Sequence, residues 1–419
     1  MSGLRRLVRA AVVDVGPLRR HRDFRLLVVG RCTSFLGATV TWVAIPYQVY
    51  HVSHSSLVVG LLGLAELGPL LLTAFLGGAL ADAIDRRRMV QLTELALAGA
   101  SSVLVLNASL AAPRLWVLFL VAGLMAGLDG FQRPSLDALE PRLVDRDELP
   151  AAGAIMELGR TSAMIGGPAL GGVLIATSGL AATYGLDVAT FAVSLAALWL
   201  MRAVPPPLDA ERPGLKAIAE GFRYARGRPE LLGTYGVDIV AMFFGMPEAL
   251  FPAFAVRLGG GAMLLGLLFT APAAGALLAS ATSGWVSRVH RHGAAVCMAA
   301  TGWGIGILIV GLAPGATIAL IGLVVAGFAD MVSGIFRSTI WNQTIPDRLR
   351  GRLAGIELVS YSAGPTLGNV EAGVVASLAG LRTSIVSGGL LCIAGVVAAA
   401  TFLPAFRDYD SREPVLEPA

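Results

Sequence analysis

The sequence predicts an all-α integral membrane protein of twelve transmembrane helices in two pseudo-symmetric six-helix bundles. Three observations predict it: a deficit of charge along the whole chain, twelve apolar stretches of bilayer length, and a strict alternation of arginine between the segments that join them. The 419 residues are 55% hydrophobic and 14% charged, with a mean hydropathy of +0.73. Soluble domains carry roughly 25% charged residues, so this chain lacks the polar surface that a water-exposed fold needs. Its 51 glycines suit membrane helices, which pack closely through small residues.

A helix needs about 20 apolar residues to cross the bilayer core. Such stretches fall near 26–50, 57–80, 89–110, 114–133, 151–177, 181–201, 230–255, 262–286, 294–312, 316–337, 353–377 and 382–404. The stretch at 353–377 is the most polar, with two Glu and many Gly. With the N-terminus placed in the cytoplasm, 27 of the 32 basic residues fall in segments on the inner side, Arg86 to Arg88 and Arg337 among them. Only Arg114, Arg257 and Arg382 fall outside, and Arg31 and Arg160 lie within spans. A missed or invented helix would invert every later loop, so this asymmetry supports both the count and two cytoplasmic termini.

The division that follows is a basic segment 1–25, a first bundle 26–201, a central loop 202–229, a second bundle 230–404 and a tail 405–419. Residues 1–25 lack the apolar run of a cleavable signal, so the first span is expected to direct insertion itself. The central loop opens on Pro205, Pro206 and Pro207. A short amphipathic helix is expected in it, with Leu215, Ile218, Ala219 and Phe222 on one face and Lys216, Glu220 and Arg223 on another.

The halves repeat weakly. Residues 130–153 and 334–355 share an aromatic-Arg helix end and a Pro-containing loop, and each is followed by a Gly-Pro-x-x-Gly pattern within the next span. Repeated halves are common in secondary transporters.

Cys32, Cys297 and Cys392 are isolated in apolar stretches, and the five histidines are scattered over loops and termini. No metal, cofactor or catalytic constellation is expected. A membrane-embedded lipid-modifying enzyme is therefore disfavoured, and no stretch resembles a selectivity filter. The expected partners are a small-molecule substrate, protons and the lipid bilayer, without nucleic acid. The expected oligomeric state is a monomer.

The segment Gly77 to Arg88 reads GGALADAIDRRR. It resembles the G-x-x-x-D-R-x-G-R-R signature of the major facilitator superfamily, with Gly78, Asp82, Arg86 and Arg87 on its positions. Ala83 and Asp85 replace the usual Arg and Gly. The resemblance implies that Asp82 braces the inner gate against a helix end and that the arginines pair with nearby carboxylates. The matching place in the second half holds Ser287 where the Asp would stand. Gly167, Pro168, Gly171 and Gly172 resemble the core of the exporter-associated motif of that superfamily. Proline removes a backbone hydrogen bond and glycine admits a close neighbour, so this region is expected to be a helix-break seam. Arg31-x-x-Ser34, residues 128–131, 184–186, 221–224 and 349–352 resemble the bacterial subfamily of the enterobactin exporter, the macrolide efflux pumps and the mycobacterial Tap-type efflux pump. That resemblance implies the major facilitator fold, a bacterial cytoplasmic membrane, and proton-driven antiport of siderophores or hydrophobic drugs. An importer of the same fold is the alternative.

Charge within a span costs about 2.5–3.5 kcal/mol on the mildest scale and so points to function. Arg31, Asp129, Glu157 and Arg160 lie at similar depth and are expected to form a charge network, with Glu157 and Arg160 paired at i,i+3. Glu66, Asp238, Glu248 and Glu371 are the candidates for proton coupling or substrate binding. Asp187 is expected near the outer interface, satisfied by water. Trp42, Tyr47, Trp116, Tyr184 and Trp199 are expected in the interfacial aromatic belt. Phe243, Phe244, Phe251 and Phe254 suit either a cavity lining or ordinary packing.

Overall fold

The computed structural model describes residues 14–81, 85–202 and 223–412. These are helical almost throughout, and the only β pairing among them is an isolated bridge between Arg291 and Asp410. In chain order the helices are α1 (Gly16–Arg20), α2 (Arg22–Ser53), α3 (Ser56–Ala81), α4 (Arg86–Ala108), α5 (Leu115–Leu139), α6 (Leu149–Leu200), α7 (Pro229–Phe244), α8 (Phe251–Arg257), α9 (Gly261–Ala281), α10 (His292–Leu312), α11 (Ala316–Thr344), α12 (Asp347–Ala379), α13 (Leu381–Phe402) and α14 (Pro404–Arg407). The amphipathic helix expected at 215–222 lies outside the described residues.

Ten segments among the described residues are long and apolar enough to cross a membrane. One of them contains α6, which is two bilayer-length legs joined at Gly179, the only residue in it with non-helical dihedrals. Helix α12 has 33 residues but carries Arg348, Arg350 and Arg352 at its start. With these two the element order matches the twelve expected spans. Large apolar side chains such as Leu106, Trp199, Leu378 and Phe402 stand exposed, as a lipid-facing surface requires.

The repeat is visible in backbone geometry. Gly179 has φ 79° and ψ 173°, and Gly380, between α12 and α13, has φ 90° and ψ 157°. Both stand in an x-Gly-Leu sequence and reverse the chain where only glycine is unstrained. The two halves thus use the same tight corner at matching places.

Two elements depart from the sequence reading. The stretch 230–255 is not one helix, because α7 stops at Phe244 and a 3-10 turn, Glu248–Leu250, precedes α8. Pro247 and Pro252 lack the N–H groups that would carry the helix through. At Pro168, by contrast, α6 continues, so that place is a seam without a break.

Helix packing divides the chain into two units, residues 1–44 with 68–211, and 45–67 with 212–419. In the first unit, α6 lies on α2 through its glycines. A Cβ on Gly167 would strike Thr39, and one on Gly171 would come 3.2 Å from the Val40 carbonyl oxygen. The Thr39 hydroxyl donates to the Ala163 carbonyl at 3.1 Å across the same seam. Gly167→Val is therefore expected to cost about 1–3 kcal/mol by overpacking. Gly166→Ala, whose Cβ would meet nothing within 4 Å, is the control. Thermal unfolding of the two variants checks the contrast.

In the second unit, α9 meets α11 at Gly275 and Gly327, and α10 meets α13 at Gly304 and Gly389. The first part of α3 packs on α12 by the same device. A Cβ on Gly60 would enter the Asn369 backbone, and one on Gly373 would meet Leu57.

Candidate functional site

The interrupted α7–α8 segment is the best-built polar feature of the second unit. Ending a helix inside a membrane frees backbone groups that must be satisfied by protein. The Trp303 indole donates to the Gly245 carbonyl at 3.0 Å. The Ala249 N–H donates to Asn369 Oδ1 at 2.8 Å. Gly364 and Gly368 let α12 approach Met242 and Phe243 closely enough for Asn369 to reach.

Glu248 opens the 3-10 turn at this interruption. Glu66, on α3, lies close enough for the two carboxyls to interact electrostatically. Neither makes an ion pair among the described residues. Glu371 is one turn or less along α12 from Asn369 and is half-buried. Three of the four sequence candidates, Glu66, Glu248 and Glu371, thus belong to α3, α12 and the α7–α8 interruption of one unit. Phe251 and Phe254 are buried packing residues, and Phe243 and Phe244 meet edge to face at 4.9 Å.

Asp238, the fourth candidate, has a different setting. It contacts Arg337 directly, and Arg337 Nη2 also lies 3.6 Å from Asp330 Oδ1. One turn away the Trp341 indole donates to Thr234 at 2.9 Å and stacks on Tyr235. These contacts join α7 to α11. Arg337 therefore corrects the reading of an anchor at a span end. Helix α11 runs on to Thr344, and Arg337 is an interior cation with 12% of its side chain exposed.

In the first unit Arg160 grips Glu157 with two bonds, at 2.7 and 2.8 Å. Arg31 pairs with Asp137 at 3.1 Å rather than with Asp129. Asp137 stands two turns farther along α5 than Asp129. Asp129 is within electrostatic reach of Arg133 and of Arg31.

The signature at the end of α3 is described in part. Gly78 lies in α3, and Asp82 lies outside the described residues. Among the described residues, Arg87 bonds to backbone carbonyls and to no carboxylate. It donates to the carbonyls of Leu198 at 2.8 Å and Trp199 at 3.0 Å, capping the negative end of α6. Asp85, the departure from the family pattern, N-caps α4 by accepting from the Arg87 and Arg88 N–H groups. Asp85→Ala is expected to lose about 0.5–2 kcal/mol and Asp85→Ser to retain most of it, as thermal unfolding would report.

Two further residues correct the sequence reading. Asp187 is completely buried and held by hydroxyls rather than by interfacial water. Tyr184 is completely buried too, whereas Trp42, Trp116 and Trp199 are exposed as a belt requires. Glu94, within α4, was not singled out from the sequence and is also buried.

Near the chain start His21, Asp145 and Glu148 bring three possible metal ligands within 4.8 Å. Glu148, however, is engaged on one oxygen by Arg20 and on the other by His21, each at 2.6 Å, so the arrangement is an ion-paired clamp. At the other end Arg412 donates to Asp410 from its side chain and its backbone, which holds that carboxyl well below the usual range. A depressed carboxyl stabilises the fold above its unfolded pKa and loses that contribution as pH falls through the folded one. The Ser411–His290 contact beside it is thus expected to survive mild acid and to open only in strong acid, read by hydrogen exchange at residues 409–412.

Comparison with known proteins decides the family. The model of the transmembrane secretion effector family matches residues 13–418. The chain belongs to that family of major facilitator transporters. The enterobactin exporter EntS of Citrobacter koseri is 30% identical over 394 residues, 92% of this chain and 93% of that protein. The enterobactin exporter of Shigella boydii is 29% identical over the same shares. A peptide transporter of the POT family in complex with alafosfalin superposes with a TM-score of 0.73 at 13% identity, covering 95% of this chain and 97% of its own. A bacterial homologue of the human lysosomal transporter Spinster gives 0.69 at 18% identity, with 93% and 96% covered. The chain is therefore a multi-pass membrane protein and a secondary transporter of small molecules, not an enzyme.

Proposed function

We propose that this transporter is an exporter in a bacterial cytoplasmic membrane, with both termini inside, that exchanges protons for a siderophore or an amphipathic drug-like molecule. The observation that carries export is similarity to enterobactin exporters over 92% of the chain. Proton exchange is supported by Glu66 and Glu248, two neighbouring acids without a basic partner among the described residues.

The physical cycle follows from like charge. Two carboxylates in a poorly hydrated site resist being ionised together, so at least one readily takes a proton. Protonation from the outer side neutralises the site and releases a substrate held there by its polar groups. Loss of the proton to the inner side restores the charge, and the next substrate binds. The bundles alternate access between these events. Glu371 and Asn369 extend the same polar lining, while Asp238 serves as the structural partner of Arg337. The Asp82 signature closes the inner side, with Arg87 fixing the end of α6.

The test is uptake into inverted vesicles with a panel of siderophores and hydrophobic drugs, with and without an imposed proton gradient. Accumulation that needs the gradient supports the reading. Accumulation unaffected by the gradient contradicts proton exchange, and accumulation only in right-side-out vesicles contradicts export.

A further inference from the structure

The first unit holds two more acids that the proposed cycle does not use. Glu94 on α4 and Asp187 on α6 have 3% and 0% of their surface exposed. Among the described residues, the donors to each are neutral. Glu94 Oε1 accepts from Ser34 at 3.0 Å and from Gln132 at 2.9 Å. Asp187 Oδ2 accepts from Thr41 at 2.8 Å and from Ser101 at 2.7 Å. The second oxygen of each, Glu94 Oε2 and Asp187 Oδ1, is buried without a hydrogen bond.

The placement is regular. Helix α4 carries Glu94 and Ser101, α6 carries Asp187 and Ser194, and α2 carries Ser34 and Thr41. Each pair is seven residues apart and therefore on one helix face, about 10 Å along the axis. Ser101 serves Asp187, and Ser194 faces Glu94 in return. The result is two rungs inside one unit. One is Ser34, Glu94, Gln132 and Ser194; the other is Thr41, Ser101, Asp187 and Thr190. The acids interact with one another, and the Tyr184 hydroxyl is the other titratable group facing Asp187. Among the described residues, no cation is among their partners.

We propose that Glu94 and Asp187 are proton-binding residues, two stations of a polar ladder within the first unit, distinct from Glu66 and Glu248. A buried carboxylate surrounded by neutral hydroxyl and amide groups, with no cation among the described residues beside it, is poorly compensated, and adding a proton removes its charge. A metal cation does not fit. The hydroxyls already bond the carboxylate directly, and the space beside Asp187 is so closed that a Cβ on Gly37 would meet both Asp187 and Thr190. The step is simple: one proton adds to a carboxylate oxygen, and no other bond forms or breaks. Protonated Asp187 Oδ1 then donates to Thr190, whose hydroxyl faces the same carboxyl, while Thr41 and Ser101 keep their bonds to Oδ2.

Any role of the ladder in transport rests on the proton-exchange reading above, but proton binding does not. The test is pH-difference infrared spectroscopy of the purified protein in lipid, for wild type, Asp187→Asn, Glu94→Gln and Ser101→Ala. The expected result is a carboxylic C=O band that appears on acidification, loses one component in each acid variant, and has its Asp187 component moved to higher frequency in Ser101→Ala, where a donor is lost. Spectra of the acid variants and of Ser101→Ala that match wild type throughout would overturn the proposal. Vesicles that fail to couple transport to protons would remove the proposed function and leave this result standing.

Discussion

Arg337→Met is expected to lower the stability of the second unit by roughly 3–5 kcal/mol, the cost of leaving the buried Asp238 carboxylate without its compensating cation. Asp238 is 7% exposed and contacts Arg337 directly, and Asp330 supplies a second, more exposed carboxylate at 3.6 Å. The pair is the polar bond between α7 and α11, reinforced one turn away by the Trp341–Thr234 hydrogen bond. Removing both charges, as in Asp238→Leu with Arg337→Met, is expected to recover most of the loss, because two desolvation costs disappear together. Thermal unfolding of the two single variants and the double one in detergent reads the coupling. If the single variants are as stable as wild type, the ion pair does not hold these helices.

Glu66→Gln is expected to have the largest effect on activity. If Glu66 and Glu248 titrate as a pair, neutralising either removes the repulsion that lets the other exchange its proton. Gradient-driven accumulation is expected to fall at least tenfold in Glu66→Gln and in Glu248→Gln, while exchange of labelled for unlabelled substrate persists. Asp408→Asn, on an exposed residue that pairs with Arg407 at 2.9 Å, changes the same kind of charge and is expected to leave accumulation unchanged. Equal losses of accumulation and exchange would assign Glu66 to substrate binding rather than to coupling.

Helix number and type were legible because bilayer length and the arginine asymmetry are long-range constraints that few local exceptions can hide. What escaped depends on which side of a helix a residue faces. Arg337 was counted as an anchor since an arginine near a span end satisfies the same rule whether it faces water or a neighbouring helix. Glu94 lay eight residues inside α4, where only packing shows that it is buried among Ser34 and Gln132. Asp187 was placed in water because its partners, Thr41 and Ser101, are 146 and 86 residues away in sequence. The interruption after Phe244 did leave a signal, Gly245-x-Pro247 with Pro252 beyond it, but α3 and α9 carry Pro69 and Pro272 without stopping. Proline alone does not say which helix ends. The local departure at Asp85 was visible, and its purpose became clear only as the cap of α4.

The most direct test of proton-coupled export is accumulation of a labelled siderophore or amphipathic drug in inverted vesicles under an imposed proton gradient. The account predicts accumulation that an uncoupler abolishes in wild type and that Glu66→Gln lacks from the start. Accumulation that survives the uncoupler in wild type would contradict it.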